Sequence, residues 1–319
     1  LINLLPKMDF LLRSRNVINK DISRGAEIAP IPVINDINNA RPESFCYMVK
    51  NKFTAKMMPL VEKEKTGCTC EGECNPETCE CEIASSVVFN PKERLVIVPH
   101  AYHMNKHKYV DCGQHCDCRA KCKRRLINGH VAKRMFLEYV DGKGFGLIAA
   151  QPIALGMPIF EYIGEVLHSS ERNSRGDYQY TAFLYNGNQE CINIDSHDFG
   201  NISRFANHSC LPNMVGIRVY SSIPSEEIYP PPRIVLIAIR NIHPGEELTF
   251  DYGVNYFYDR KIPCRCYSPI CYVPPKDYYH KTKTREETWD EIPDRESYIR
   301  KNWRLTKDIE PEVVDLDSD

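Results

Sequence analysis

Residues 68–81 read Cys68-Thr69-Cys70-Glu71-Gly72-Glu73-Cys74-Asn75-Pro76-Glu77-Thr78-Cys79-Glu80-Cys81, and after a gap of 30 residues Cys112, Cys116, Cys118 and Cys122 follow. Nine sulfurs in two dense arrays are either a disulfide framework or a metal centre. Spacing decides between them. A disulfide between C-x-C neighbours is strained, and nine is an odd number for a closed set of pairs. Thiolates at these spacings suit zinc instead. Three tetrahedral zinc ions need about twelve ligand positions, which nine cysteines supply when three of them bridge two metals. Such a core is net negative, and nearby Lys and Arg offset it. The stretch 68–122 has few large apolar residues outside Val87–Phe89 and Leu95–Val98, so metal must supply much of its stability.

Working outward, a second group, Cys264-x-Cys266-x4-Cys271, lacks a fourth ligand. Cys210, 54 residues upstream, is the expected one, and its recruitment fastens a C-terminal loop over the body of the chain. Cys46 and Cys191 remain from the total of fifteen and read as ordinary reduced cysteines. Zinc-type spacing implies a reducing compartment, which discounts the glycosylation sequon Asn207-His208-Ser209.

Hydrophobic residues make up 42% of the 319 and charged residues 26%, as in an ordinary globular protein, and no apolar run is long enough to cross a bilayer. A membrane protein is not expected. The net charge of −2 gives no general reason for direct nucleic-acid binding. The basic run Lys121, Lys123, Arg124, Arg125 reads as a solvated face. No finger helix with histidine ligands accompanies the cysteines, which disfavours a nucleic-acid-binding zinc finger.

Residues 1–20 read as a short amphipathic helix, without the charged start and cleavage site of a secretory signal. Asp21–Asn35, with its prolines and alternating apolar residues, is expected to run extended. From about Arg134 short apolar runs alternate with Gly, Pro, Asn and Asp: Met135–Val140, Gly146–Ala149, Pro158–Ile163, Tyr180–Leu184, Cys191–Ile194, Met214–Tyr220, Arg233–Ile239 and Glu247–Phe250. Many short strands and little helix follow, a mainly β fold. Residues 221–232 read as an exposed loop, and 276–319 as a charged tail ending in six acidic residues from Asp308 onward.

Within this β region lie Gly144-Phe145-Gly146, Glu161-Tyr162-Ile163-Gly164-Glu165, Gly200-Asn201-Ile202-Ser203-Arg204-Phe205-Ala206-Asn207-His208-Ser209-Cys210, and Gly245-Glu246-Glu247-Leu248-Thr249-Phe250-Asp251-Tyr252-Gly253. With these motifs in this order between two zinc modules, the sequence resembles the SET-domain lysine methyltransferases, and among them the suppressor-of-variegation branch that methylates lysine 9 of histone H3. The resemblance implies a SET-domain fold of small twisted sheets with a knot-like crossing, in which the Asn207 and Tyr252 segments pass each other, preceded by an irregular zinc-cluster module. It divides the chain into the N-terminal helix 1–20, a pre-SET module 21–133, a SET domain 134–253, a post-SET zinc module 254–275 and the tail 276–319. The implied methyl donor is S-adenosylmethionine, held by Lys143, Gly144 and Phe145, by Asn207 and His208, and by Arg204 and Tyr180. The implied partners are the histone H3 tail and chromatin proteins, in the nucleus. Phe145 stands where many relatives have tryptophan, and Lys143 where an apolar residue is common.

Chemistry gives the tyrosines an independent reason. A lysine amine with a pKa near 10.4 costs roughly 4 kcal/mol to neutralise at about pH 7.4. A dry aromatic channel disfavours the ammonium, and oriented oxygens position the neutral amine. By motif position Tyr252 resembles the positioning hydroxyl, and Tyr162 and Tyr180 the channel walls, with Tyr178 a competitor for the role of Tyr180. Phenylalanine at Phe250 implies room for a methylated amine to turn and react again, so di- or trimethyl products are expected.

Overall fold

The computed structural model describes residues 12–62, 66–90, 95–97, 108–113, 115–118, 122–126, 130–131, 133–171, 178–183, 191–221, 223, 231–268 and 270–271. The tail 276–319 and most of the 221–232 segment lie outside the described residues.

Among the described residues three four-stranded sheets form the body. The first runs in the order β1 (Val17–Asn19), β2 (Val33–Ile34), β8 (Met135–Val140), β9 (Gly144–Ala149). In the second, β10 (Pro158–Glu161), β17 (Arg233–Ala238), β16 (Met214–Tyr220) and β7 (Lys108–Val110) are neighbours in that order. The third is β12 (Gln179–Phe183), β13 (Cys191–Asp195), β11 (Glu165–His168) and β4 (Lys52–Phe53). Three two-stranded pairs complete the pattern: β3 (Cys46–Tyr47) with β14 (Phe199–Gly200), β5 (Val88–Asn90) with β6 (Leu95–Ile97), and β15 (Asn207–His208) with β18 (Thr249–Phe250).

The apolar runs form strands because they are covered. Every residue of β16 and of β10 is buried, which means that both faces of the second sheet carry packing and the strands are mostly apolar rather than alternating, with Arg218 and Glu161 buried among the apolar residues. The main core gathers Leu137, Leu147, Phe160, Tyr162, Ile194, Leu236, Leu248 and Phe250 from all three sheets. A separate cluster of sulfurs with Val110 stands apart from it.

Two expectations for the N-terminal arm change. Residues 17–19, read as the end of a helix, form β1, because β2 offers an antiparallel edge and Asn16 donates to the Asn35 carbonyl at 2.7 Å. Residues 21–31 do not run extended. The Asp21 carboxylate accepts from the N–H groups of Ser23, Gly25 and Ile31 at 3.0, 2.7 and 3.0 Å and folds the segment into a turn. Burial alone would raise the Asp21 carboxyl, but these bonds hold it below the usual carboxylate range. The basic run near residue 122 is solvated only in part: Lys123 is exposed and Arg125 half-buried, Lys121 lies outside the described residues, and Arg124 is not solvated. Arg124 is buried, pairs with Glu82, donates to the Val110 carbonyl at 2.8 Å and lies over the Tyr109 ring.

Candidate active site and metal centres

The nine sulfurs of residues 68–122 come together as the spacing predicts. Cys68, Cys70, Cys74 and Cys79 lie within 4.8 Å of one another, and so do Cys74, Cys112, Cys118 and Cys122. Cys68 and Cys112 also share groups with Cys79 and Cys81 on one side and with Cys116 and Cys118 on the other. Individual separations are 3.8 Å for Cys68–Cys74, 3.6 Å for Cys74–Cys112, 3.7 Å for Cys81–Cys116 and 3.5 Å for Cys74–Cys122. Tetrahedral zinc with sulfur at about 2.3 Å places its ligands about 3.8 Å apart. The donor set fits zinc in chemistry and in spacing. Arg124, whose charge burial opposes, is supported there by the neighbouring Cys79 and Cys81 sulfurs.

A second sulfur group joins Cys210, at the end of the Asn207 segment, to the C-terminal loop. Cys210 and Cys264 are 3.9 Å apart, Cys266 lies within the same group, and the Cys271 sulfur meets those of Cys210 and Cys264. The helix Val254–Arg260 leads to this loop, and its Phe257 packs against both the Cys210 and Cys264 sulfurs and the His208 ring, the two rings 4.6 Å apart. His208 also enters the group, its Nε2 lying 3.2 Å from the Cys210 sulfur. The opposite ring nitrogen, Nδ1, accepts from the Tyr252 N–H at 3.0 Å. An acceptor at Nδ1 leaves the proton on Nε2, facing sulfur. His208 thus links the sulfur site to the backbone of Tyr252.

Tyr252 stands at the centre of an aromatic cluster. Its ring is 4.8 Å from Phe250, 4.8 Å from Tyr256 and 5.4 Å from His208. Tyr180 continues the wall, 5.9 Å from Phe250 and 5.4 Å from Tyr162. The four residues come from β10 or its end, β12, β18 and the turn after β18, so three separate parts of the chain converge here. The parallel bridge between β15 and β18 pairs Asn207 with Thr249 and His208 with Phe250 and sets the two segments side by side. The Tyr252 hydroxyl donates to the Ala206 carbonyl at 2.6 Å. Burial pushes the phenols of Tyr162, Tyr180 and Tyr252 well above their ordinary range, so they remain neutral donors.

Beside this cluster lies a polar recess. Asn207 donates through Nδ2 to Glu247 Oε1 at 2.8 Å, and Lys143 Nζ donates to Glu247 Oε2 at 2.7 Å. Gly144 holds φ of +81°, where a side chain would be strained. Two residues on, a Cβ at Gly146 would fall 2.6 Å from Glu247 Oε1 and 2.9 Å from Asn207 Nδ2. The absent side chain at Gly146 leaves room for the Glu247 and Asn207 side chains, while Phe145 packs edge-on against Tyr139 at 5.3 Å. Spacing did not single out Glu247, although it joins Lys143 to Asn207. Asn213 was also missed; it donates to the Glu247 carbonyl and accepts from the Thr249 N–H, each at 2.8 Å. Arg204 departs from the grouping with Asn207. Its guanidinium lies 4.1 Å from the centre of the Tyr178 ring and 4.3 Å from that of Phe45, with a side-chain exposure of 0%. Tyr178 thereby covers Arg204, whereas Tyr180 faces Tyr162 and Phe250.

Comparison with known proteins agrees with this architecture. The model of the SET domain matches residues 144–253, and that of the Pre-SET motif matches residues 23–125. The histone-lysine N-methyltransferase EHMT1 of Mus musculus is 32% identical over 261 residues, covering 80% of this chain and 20% of the mouse protein. The H3 lysine-9 specific histone-lysine N-methyltransferase SUVH1 of Nicotiana tabacum is 32% identical over 272 residues, covering 80% of this chain and 37% of its own length. This chain therefore corresponds to a minor part of each of these relatives. Among solved structures, KRYPTONITE in complex with mCHG DNA and SAH superposes with a TM-score of 0.66 at 28% identity, covering 82% of this chain and 54% of that one. A second KRYPTONITE structure, with mCHH DNA, an H3(1-15) peptide and SAH, gives a TM-score of 0.64 at 27% identity, covering 80% and 53%.

Proposed function

From the premise that the chain belongs to the SET-domain proteins and carries a Pre-SET motif ahead of its SET domain, we propose that it is an S-adenosylmethionine-dependent protein lysine methyltransferase acting on lysine 9 of the histone H3 tail in the nucleus. The observation that carries this reading is the convergence of Tyr162, Tyr180, Phe250 and Tyr252 beside the recess of Lys143, Gly144 and Asn207. The tobacco relative bears the name H3 lysine-9 specific, and one of the superposable structures holds an H3 peptide, which supports the choice of substrate.

When bound, S-adenosylmethionine supplies an electrophilic methyl group on a sulfonium. The chain's own residues do the remainder. The aromatic walls exclude water and disfavour the ammonium form of the target amine, which reduces the roughly 4 kcal/mol otherwise opposing its neutral form at about pH 7.4. The neutral Tyr252 hydroxyl spends its proton on the Ala206 carbonyl, so its oxygen and the carbonyl's remaining lone pair are fixed as acceptors at one end of the channel. Asn207 spends its Nδ2 on Glu247, and Lys143 provides a cation beside the same carboxylate. No general base is required, because loss of the ammonium proton precedes the transfer.

The cysteines divide among four zinc ions in this reading. Cys68, Cys74 and Cys112, each shared by more than one sulfur group, would be the cysteines held in common by the three ions of the nine-cysteine cluster. Cys70 and Cys79, Cys118 and Cys122, and Cys81 and Cys116 complete the three coordination sets, consistent with the shared sulfur groups. The fourth ion takes Cys210, Cys264, Cys266 and Cys271. Phe250 leaves room for di- or trimethylation.

The test is mass spectrometry of H3 tail peptides after incubation with the purified chain and S-adenosylmethionine, beside a peptide lacking lysine 9. Additions of about 14 Da per methyl that vanish without lysine 9 are expected. Methylation of the control peptide, or of other proteins only, moves the substrate elsewhere, and no transfer at all by folded, zinc-loaded protein ends the enzymatic reading.

A further inference from the structure

Gly216 lies inside β16, where it pairs with Leu236 of β17. Its φ is not among the positive values, so nothing in the backbone demands glycine here. A glycine inside a strand weakens it and often marks the close approach of another group. The approaching group is Tyr180. A Cβ built on Gly216 would lie 2.5 Å from the Tyr180 hydroxyl oxygen and 3.2 Å from its Cζ, with Ile234 Cγ2 also at 3.2 Å. The end of the Tyr180 side chain therefore occupies the volume that any other residue at 216 would claim.

The other side of Tyr180 is bounded as well. Its ring faces Tyr162 at 5.4 Å and Phe250 at 5.9 Å, the aromatic walls of the proposed lysine channel. Packed interiors transmit such a displacement rather than absorb it. A side chain at 216 pushes the Tyr180 ring away from β16, and Tyr162 and Phe250 stand in the direction left to it.

We propose that Gly216 is a specificity-determining residue for the degree of methylation: by lacking a Cβ it lets Tyr180 rest against β16, which keeps the channel wide enough for a methylated amine to turn and react again. This inference rests on the lysine methyltransferase reading and adds a control of product degree at a strand that supplies none of the four aromatic side chains of the proposed channel. The predicted behaviour is that of a coupled pair. Enlarging residue 216 narrows the channel through Tyr180, and removing the Tyr180 hydroxyl relieves it.

The experiment compares wild type, Gly216→Ala, Tyr180→Phe and the double variant. The measured quantity is the ratio of single-turnover rates on monomethylated and unmodified H3 peptides, with the product distribution read by mass spectrometry. Gly216→Ala should lower that ratio by about tenfold or more, as overpacking of a tight site does. Tyr180→Phe in the Gly216→Ala background should bring it back to within about threefold of wild type, because the atom in closest conflict is gone. A ratio in Gly216→Ala equal to that of wild type overturns the inference, and so does a lowered ratio that Tyr180→Phe fails to restore. If Gly216→Ala does not fold, Tyr180→Phe alone decides. Space vacated above Gly216 should raise the ratio, and an unchanged ratio overturns the proposal. Wild-type protein that methylates no lysine overturns the underlying reading instead, which keeps the two failures apart.

Discussion

Tyr252 presents one hydroxyl to one carbonyl, at 2.6 Å from Ala206. Replacing it by phenylalanine keeps the ring contacts with Phe250, Tyr256 and His208 but removes the oriented oxygen. Turnover of Tyr252→Phe should fall by about 10²-fold or more with little change in melting temperature, as for other preorganised donors. Phe250→Tyr adds an oxygen within the same cluster and should shift products towards monomethyl-lysine, which mass spectrometry reads directly. The phenols also set an expectation for pH. Their folded-state values are raised, so they stay protonated through the alkaline range in which the lysine amine, near 10.4, becomes neutral. Single-turnover rates should therefore climb about tenfold per pH unit from about pH 7 to 9 without a descending limb. A fall in rate below about pH 9 in folded protein would assign a titrating phenol to the reaction. At this scale the sequence was legible wherever a motif fixes a residue's neighbours, as with Tyr252 and Asn207. It was not legible for Arg204, whose motif position says nothing of the Tyr178 and Phe45 rings that capture its guanidinium, nor for Glu247, whose partners come from distant strands.

Among the elements, strands were legible where burial covers both faces. The runs Met135–Val140 and Met214–Tyr220 match β8 and β16 residue for residue, because the first half of β8 and all of β16 are buried and such strands are mostly apolar. β1 was misread, since Val17–Asn19 has no pattern of its own and becomes a strand only through the edge that β2 provides. The central position of β17 between β10 and β16 makes its core residues sensitive. Leu236→Ala, at 0% exposure, should cost about 2–5 kcal/mol in denaturant unfolding. Gly216 shows the opposite limit: the sequence displays a glycine in a strand, and only the approach of Tyr180 explains it.

For the whole molecule, sulfur ties regions that are distant in sequence. The four-ion reading expects elemental analysis of purified protein to give about four zinc per chain, as the nine-cysteine cluster and the Cys210 site together require. Cys210→Ser should lose about one of these and abolish methyl transfer, because His208, beside the Cys210 sulfur, also holds the Tyr252 N–H. Cys68→Ser removes a sulfur shared by three groups and should release several ions and unfold the cluster, visible as a lowered melting temperature. The dense spacing within 68–81, 112–122 and 264–271 made the sulfur groups readable in advance, since ligands so close in sequence have few other arrangements open to them, whereas Cys210 was reached only as the missing fourth sulfur. The role of His208 between the Cys210 sulfur and the Tyr252 backbone was not readable, because it depends on which nitrogen meets which partner.

The parallel pairing of Asn207 with Thr249 and of His208 with Phe250 carries a consequence in time as well as in space. Parallel partners so far apart along the chain cannot form by a local turn, and the entropy of closing the intervening loop must be met before the contact stabilises anything. The β16–β17 hairpin lies within that loop and can assemble first, because its strands are antiparallel neighbours. The residues that complete the proposed channel are thus ordered late, after the scaffold around them. Because Tyr162, Leu248 and Phe250 belong to the main core, closing that core and completing the proposed channel are one event, and partially folded forms hold no competent site with which to modify the wrong amine.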